Sequence, residues 1–495
     1  MIDLTINKES LEQNIKKAKE NNVVLPTFAQ MRNPDTQVTD EVKDKLKNVG
    51  LWDINPLNLY RITWKNEPKM QGGNYGKPNY IELPSKLTGV DAKIICMVGK
   101  YFPTGCHKVG ASFGCLVPRL VTGQFNSATQ KAVWPSTGNY CRGGAFNSKL
   151  LACDSVAILP EGMSRERFDW LRTIAGEIIA TPGSESNVKE IFDATNDIRK
   201  NRKDAVIFNQ FEEMGNYLWH FEVTGNAISE AFDDLSIKMS EDGLAPNFAG
   251  ICLMSGSAGS MAAGDQLKQK YPNSKIAVGE ALQCPTILNN GFGDHRIEGT
   301  GDKHIPWVHN VKNTDMVIAI DDEDAMQLLR LFNTETGKEF LIKEIGMTEY
   351  DVEKLSYMGI SGVANMLCAI KFAKHYELTS NDVVATILTD SVEMYISRLE
   401  ELQEAEGDYT VKKAVSDYTR RILGASTDHL LELPYNERKR VHNLKYYTWV
   451  EQQDRCVNDL NAQWYDQTNT FESVQKQASQ IDELIVEFNN KVSKC

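Results

Sequence analysis

Long hydrophobic runs are missing from this 495-residue sequence. The longest apolar stretches, such as Ile94-Ile95-Cys96-Met97-Val98, are strand-sized, far short of the ~20 residues a membrane-spanning helix needs. An excess of positive charge is missing too. Against 67 Asp+Glu stand 54 Lys+Arg, a formal net charge of −13. That balance argues against nucleic acid or an anionic membrane as the main partner, while leaving room for a local basic pocket. Paired cysteines are the third absence: ten are scattered without a C-x-x-C spacing. The opening MIDLTINKES has acidic and polar residues where a secretory signal places a basic and then an apolar run. The expectation is a cytoplasmic protein with reduced thiols, several of them small core residues such as Cys96, Cys252 and Cys368.

What is present suits a folded protein of two to four structural units, on the usual prior of about 100–200 residues each. Short β-branched runs alternate with longer amphipathic stretches. Strands are expected at Lys93–Val98, Lys131–Trp134, Ser155–Leu159, Glu177–Ala180, Ala205–Phe208, Gly250–Met254, Lys275–Gly279, Met316–Ile320 and Val383–Leu388. Helical patterns such as Ser164–Ala175 and Ser186–Asn201 lie between them. That alternation implies parallel sheets covered by helices on both faces, and so many strands imply two α/β lobes. Gln71–Pro78 reads as a loop, and Glu393–Glu406 and Thr470–Ser493 are charge-rich helical segments of an appended tail.

Four segments could carry chemistry. In the first, Phe102–Ser112, a Pro103-Thr104-Gly105 turn follows a strand and delivers Lys108 to a helix start. A lysine partly buried there is suited to Schiff-base chemistry; a solvated helix-start lysine fits the same pattern. The second, Trp134–Gly144, gathers Ser136, Thr137, Gly138 and Asn139 at a helix N-terminus, which binds carboxylate or phosphate or simply caps the helix. The third is Met254–Ser260. Its small residues let backbone N–H groups encircle a phosphate, although it is neither G-x-G-x-x-G nor a Walker pattern. It also comes within one residue of a nucleophile elbow, with Ser257 as nucleophile. The fourth, Gly293–Gly301, holds Asp294 and His295 in a glycine-spaced loop. His295, His304 and His309 lack a metal-ligand spacing, so no metal is expected.

Taken in order, these segments resemble the fold-type II pyridoxal-phosphate enzymes of the cysteine synthase and cystathionine β-synthase group. Pro103 to Lys108 is similar to that family's Pro-Thr-Gly-Ser-x-Lys segment, and Ser136–Tyr140 to its Ser-Gly-Asn-Thr-Gly loop. Gly256-Ser257-Ala258-Gly259-Ser260 resembles its phosphate loop, and His295–Gly301 its His-x-Ile-x-Gly-x-Gly loop. Gly359-Ile360-Ser361-Gly362 resembles Gly-Ile-Ser-Ser-Gly, and Asn55–Leu59 the early Asn-Thr-Pro-Leu-Val run.

The resemblance spans about residues 50–395. It implies two three-layer α/β lobes, the smaller at roughly 105–235 and the larger at 50–104 plus 236–395. An N-terminal extension at 1–49 and a helical C-terminal extension at 396–495 complete the chain. Pyridoxal 5′-phosphate is the implied cofactor, with Lys108 as internal aldimine and acid/base. Asn139 is implied on the 3′-oxygen, Gly256, Ser257, Ala258, Gly259 and Ser260 on the phosphate, and Ser361 at the pyridine nitrogen. Ser136, Thr137, Gly138, Asn139 and Tyr140 are implied to bind the substrate carboxylate. A neutral hydroxyl at the pyridine nitrogen disfavours long-lived carbanions. The implied reaction is therefore β-elimination or β-replacement on a β-substituted amino acid, through an aminoacrylate. A cytoplasmic homodimer acting on a small amino acid is expected, with no nucleic acid or membrane as partner.

The sequence also departs from the family. Val109-Gly110 follows the lysine where Asp-Arg is common, His107 precedes it, and Tyr140 and Gly362 replace a threonine and a serine. Two other readings stay open: a serine hydrolase built on Ser257 with a downstream base such as His429, and a non-catalytic partner subunit.

Overall fold

Each of the nine expected runs is a strand, and two more join them at sheet edges. The computed structural model describes residues 1–67, 74–184 and 187–493. Residues 71–73 of the expected loop and Ser186 of the expected helix lie outside the described residues. In chain order the strands are β1 (Tyr80–Leu83), β2 (Lys93–Val98), β3 (Lys131–Pro135), β4 (Asp154–Pro160), β5 (Glu177–Thr181), β6 (Ala205–Ile207), β7 (Asn247–Met254), β8 (Lys275–Ala281), β9 (Met316–Ile320), β10 (Asp382–Leu388) and β11 (Leu430–Glu432).

They form a seven-stranded sheet, β1-β2-β10-β7-β8-β9-β11, and a four-stranded sheet, β5-β4-β3-β6. The smaller sheet is parallel throughout. In the larger one, among the described residues, only β1 and β11, at the two edges, pair antiparallel. The parallel strands read as unbroken apolar runs because helices cover both faces. In β9 all five residues are buried, and in β2 five of six. The edge strands lack that signal: β1 exposes Glu82, and no residue of β11 is fully buried. β11 also shows that the C-terminal segment, helical in pattern, adds an edge to the seven-stranded sheet.

The two chain ends are fastened together beside the helix Lys108–Thr122. The Phe28 and Ala29 N–H groups donate to the Asp482 carboxylate at 2.6 and 3.1 Å. Asn489 bonds both N–H and carbonyl of Leu25. Toward the core, Asn7 N–H reaches Thr122 O at 2.8 Å and Asn14 Nδ2 reaches Leu120 O at 2.9 Å. The Asn7 bond satisfies a carbonyl that the last turn of that helix leaves open, while Leu120 O also accepts from the capping Gly123 N–H. Farther along, the buried Lys445 Nζ donates to Trp307 O, His309 O and Gln463 Oε1. The tail thereby pins the segment that follows the glycine-spaced loop. Among the described residues no single helix is long and apolar enough to cross a membrane.

Candidate active site

The segments singled out in sequence sit where parallel strands end. β2 leads to Lys108, β3 to the Ser136 loop and β7 to Gly256, and β10 ends two residues before Asp390. Open α/β sheets bind ligands at such carboxyl ends.

Lys108 opens the helix Lys108–Thr122 after a turn in which Thr104 and Gly105 both have positive φ, 69° and 67°. For a β-branched residue that conformation is strained, and it is held here by burial and by Arg142 Nη2 donating to Thr104 O at 3.1 Å. Lys108 Nζ donates to Gln210 Oε1 at 3.2 Å. It lies 3.7 Å from where a Cβ on Gly256 would stand. That phantom Cβ would also lie 2.5 Å from Gly299 O, so Gly256 lets the loop approach both the lysine and the His295–Gly301 segment. His107 turns away from the lysine. It is buried, stacks on Trp64 at 5.5 Å and meets His220 edge-on. Burial, helped by the Lys108 charge, pushes it down to about 3, so it is a neutral packing residue at physiological pH.

The loop after β7 leaves a run of N–H donors open. Among the described residues, the N–H groups of Gly256, Ser257, Ala258, Gly259 and Ser260 donate no hydrogen bond. The helix Met261–Lys270 follows directly and adds the positive end of its dipole. Ala258 holds φ 58°, the left-handed turn that folds such N–H groups inward. Asn216 supports the loop from outside, donating to Ser257 Oγ at 3.1 Å and Gln210 O at 2.9 Å. Its Oδ1 is buried without a partner. The near-elbow serine thus has an amide for a neighbour. His429, the suggested base, is half exposed beside Asp428 next to edge strand β11, which β8 and β9 separate from β7, the strand that leads to Ser257.

The Ser136–Tyr140 loop is similar in kind. Gly138 N–H folds back on Ser136 Oγ at 2.9 Å, and the N–H groups of Thr137, Asn139 and Tyr140 donate to nothing among the described residues. Gly138 has φ 147°, and a Cβ there would stand 2.5 Å from Arg167 Nη1. The Tyr140 ring is packed in the core edge-on against Trp134. Tyr140 therefore offers the loop its backbone only. Asn139 Nδ2 donates to Asp390 Oδ2 at 2.6 Å.

Asp390 belongs to a buried cluster that pattern reading missed. Arg167 and Asp390 are fully buried and Glu298 is 3% exposed. Arg167 pairs with Glu298 at 3.0 Å and with Asp390 at 3.8 Å, while Nη1 holds Thr137 O and Nη2 holds Tyr395 Oη, both at 2.9 Å. Tyr395 Oη in turn donates to Asp390 Oδ2 at 2.7 Å, and Arg398 Nε to Glu298 at 2.7 Å. Burial raises the Asp390 carboxyl, opposed by Arg167, Asn139 and Tyr395. Its Oδ1 has no partner. Gly359 must be glycine there, because a Cβ would overlap that oxygen. Ser361, two residues on, is buried in the first turn of the helix Ile360–His375. His295 is a loop pin: Nε2–H donates to Gly301 O at 2.8 Å and Nδ1 accepts from Ile297 N–H at 3.2 Å.

Gln210, Asn216 and Asp390 were not singled out in sequence. Gln210 and Asp390 do follow the ends of strands β6 and β10, the position common to the segments that were.

Comparison with known proteins adds the following. Residues 75–339 match the family described as pyridoxal-phosphate dependent enzyme. A cystathionine beta-synthase from Saccharomyces cerevisiae is 25% identical over 327 residues, 64% of this chain and 59% of that protein. The chain thus spans under two thirds of that relative's length. A cysteine synthase from Staphylococcus aureus is 28% identical over 268 residues, 54% of this chain and 75% of that one. In fold, a hydrogen sulfide-producing enzyme from Fusobacterium nucleatum superposes with a TM-score of 0.53 at 22% identity, over 64% of this chain and 96% of that one.

Proposed function

The chain belongs to the pyridoxal-phosphate dependent enzymes, and from that premise we propose that it performs β-elimination or β-replacement on a β-substituted amino acid. The observation that carries this reading is the set of open N–H donors, Gly256–Ser260 beside Lys108 Nζ and Thr137, Asn139 and Tyr140 in the loop after β3. Pyridoxal 5′-phosphate supplies the electron sink that acidifies the Cα–H bond of a bound amino acid. Lys108 Nζ would hold it covalently and move the proton at Cα. The Gly256–Ser260 N–H groups would hold its phosphate without any basic side chain. Asn139 would leave Asp390 in part to meet the ring oxygen, and Ser136–Tyr140 would orient the substrate carboxylate through N–H groups and the Thr137 hydroxyl. The walls exclude water: Ser136, Asn139, Ser257 and Ser361 are all buried. Relatives that bear the names cysteine synthase and cystathionine beta-synthase support cysteine-type substrates. We read the assembly as a cytoplasmic homodimer without nucleic acid or membrane partners.

A second assignment within the site rests on one observation. Asp390 Oδ1 is buried and unpartnered beside Gly359, two residues from the expected ring partner Ser361. A carboxylate facing the pyridine nitrogen would keep a proton there and open carbanion chemistry such as transamination; Ser361 would not.

The test is direct. The protein with cofactor should be yellow, and borohydride should fix the cofactor to Lys108, seen as a mass shift on its peptide. Lys108→Ala should lose that mass shift and about 10³-fold or more of its turnover. Offering O-acetylserine, cysteine, serine and threonine in turn then names the substrate. A colourless protein with Lys108 intact sinks the reading. Cofactor bound at Lys108 without turnover of any β-substituted amino acid favours a partner subunit.

A further inference from the structure

One buried carboxyl near Lys108 has no part in the reading above. Asp302 is 7% exposed, and its Oδ2 meets no hydrogen-bond partner. It follows Gly301, whose N–H donates to Ser255 O at 2.8 Å and whose φ of 76° turns the chain at the mouth of the phosphate loop. Thr286 Oγ1 donates to the Asp302 carbonyl at 2.9 Å, so the backbone is pinned while that carboxyl oxygen is not. Among the described residues native carboxylates left this way are rare, because a buried acceptor without a donor is costly. Such groups recur where a proton must be moved.

The charged surroundings are simple. Lys108, from the helix Lys108–Thr122, is the charge that acts on Asp302, and burial outweighs it, pushing the carboxyl up to about 7. Beyond the end of β8, Cys284 feels Asp302 and Glu280, and its thiol is itself raised by burial. Within its own loop Lys303 pairs outward with Asp294, and His304 packs against Phe192 and Phe211. Among the described residues, Lys108 is thus the cation whose charge reaches this carboxyl.

We propose that Asp302 is a second catalytic acid/base, giving its proton to the group that leaves the substrate's β-carbon and taking one from a group that adds there. This rests on the β-carbon chemistry proposed above. In elimination the Cα–H bond breaks with its proton passing to Lys108 Nζ. The Cβ–X bond breaks with its electron pair on X, and the Asp302 carboxyl proton joins X to give HX. Lys108 then returns its proton to Asp302, so both groups are restored and the substrate has lost HX. Addition of HX runs these transfers in reverse. Hydroxide and thiolate leave badly unless protonated, whereas chloride needs no proton, and general acids matter in proportion.

That difference supplies the test. In the holoenzyme, Asp302→Asn should slow turnover of serine by about 10²-fold or more and leave β-chloroalanine within about threefold. Equal loss on both substrates overturns the proposal, because a merely structural role does not sort leaving groups. Asp302→Glu, which keeps the acid, should recover most of the serine rate. Infrared titration of the cofactor-free protein provides a reading independent of turnover. A carboxylic C=O band should fade as pH rises through about 7 and be absent from Asp302→Asn. If no such band is lost in the variant, Asp302 is not the acid. A parent protein that binds cofactor at Lys108, shows the band and yet turns over neither substrate overturns the β-carbon reading, and the proposal with it.

Discussion

The loop Gly256–Ser260 presents five open N–H groups and not one charged side chain, whereas the wall around Arg167 buries two carboxylates and a guanidinium out of water. Both regions deal with charge, by opposite means. Backbone dipoles are fixed by the chain itself and suffer little desolvation when an anion arrives, so they suit a group that comes and stays. Buried ion pairs are costly to assemble and costly to break, so they suit a joint. Here the joint ties the two sheets together. Arg167, on the helix Arg165–Arg172 beside the four-stranded sheet, grips Glu298 and Asp390, which belong with the seven-stranded one. It also grips the Thr137 carbonyl of the substrate loop. On the function proposed above, the contrast accounts for an acidic protein holding a phosphate and a carboxylate: the loops proposed to bind them do not draw on its basic side chains.

The sharpest way to break the contrast is at Arg167. Arg167→Met keeps much of the volume and removes the charge, leaving Glu298 and Asp390 buried without it. The expected loss is about 3–5 kcal/mol in denaturant unfolding. A loss below about 1 kcal/mol would mean that the cluster is not a joint. On the other wall a methyl group should act through cofactor binding rather than stability. A Cβ on Gly259 would overlap Asn216 Oδ1, whose amide is held on its other side by Gln210 and Ser257. Gly259→Ala should weaken cofactor binding by about tenfold, read by absorbance titration, as the loop moves to make room. Unchanged affinity would show that the loop is not the phosphate site. The smallest effect is expected at Ser257→Ala. Asn216 Nδ2 keeps its bond to Gln210 O, so the loss of one acceptor should cost about 1 kcal/mol or less. A fluorophosphonate probe should leave Ser257 unlabelled, and labelling would revive the hydrolase reading.

Much of this architecture was legible in advance because parallel strands covered on both faces leave a plain trace. Nine apolar runs marked nine strands, and the four chemistry-bearing segments lay at strand ends or in the loop that packs on them. The misses have physical causes. Tyr80–Leu83 and Leu430–Glu432 are short edge strands with a charged residue each, so neither the length nor the apolar run that marks a buried strand is there. Tyr140 looked like a pocket residue because the loop was aligned by its polar neighbours, yet the first turn of a helix sends successive side chains to different faces. His107 precedes Lys108 in the chain, yet its ring packs on Trp64 and His220.

By itself the sequence determined the order of the strands, the turn that brings Lys108 to a helix start, and the small residues that leave N–H groups open. These are local properties, set by side-chain size, φ preference and periodicity over a few residues. Only the tertiary structure decided which charges meet. Arg167 finds Asp390 and Arg398 finds Glu298 across long stretches of chain, and Asp302 lies within the field of a lysine from a distant helix. No local pattern encodes those meetings. Burial then sets their strength, because taking charges out of water makes each pairing, and each missing partner, count for far more than it would at the surface.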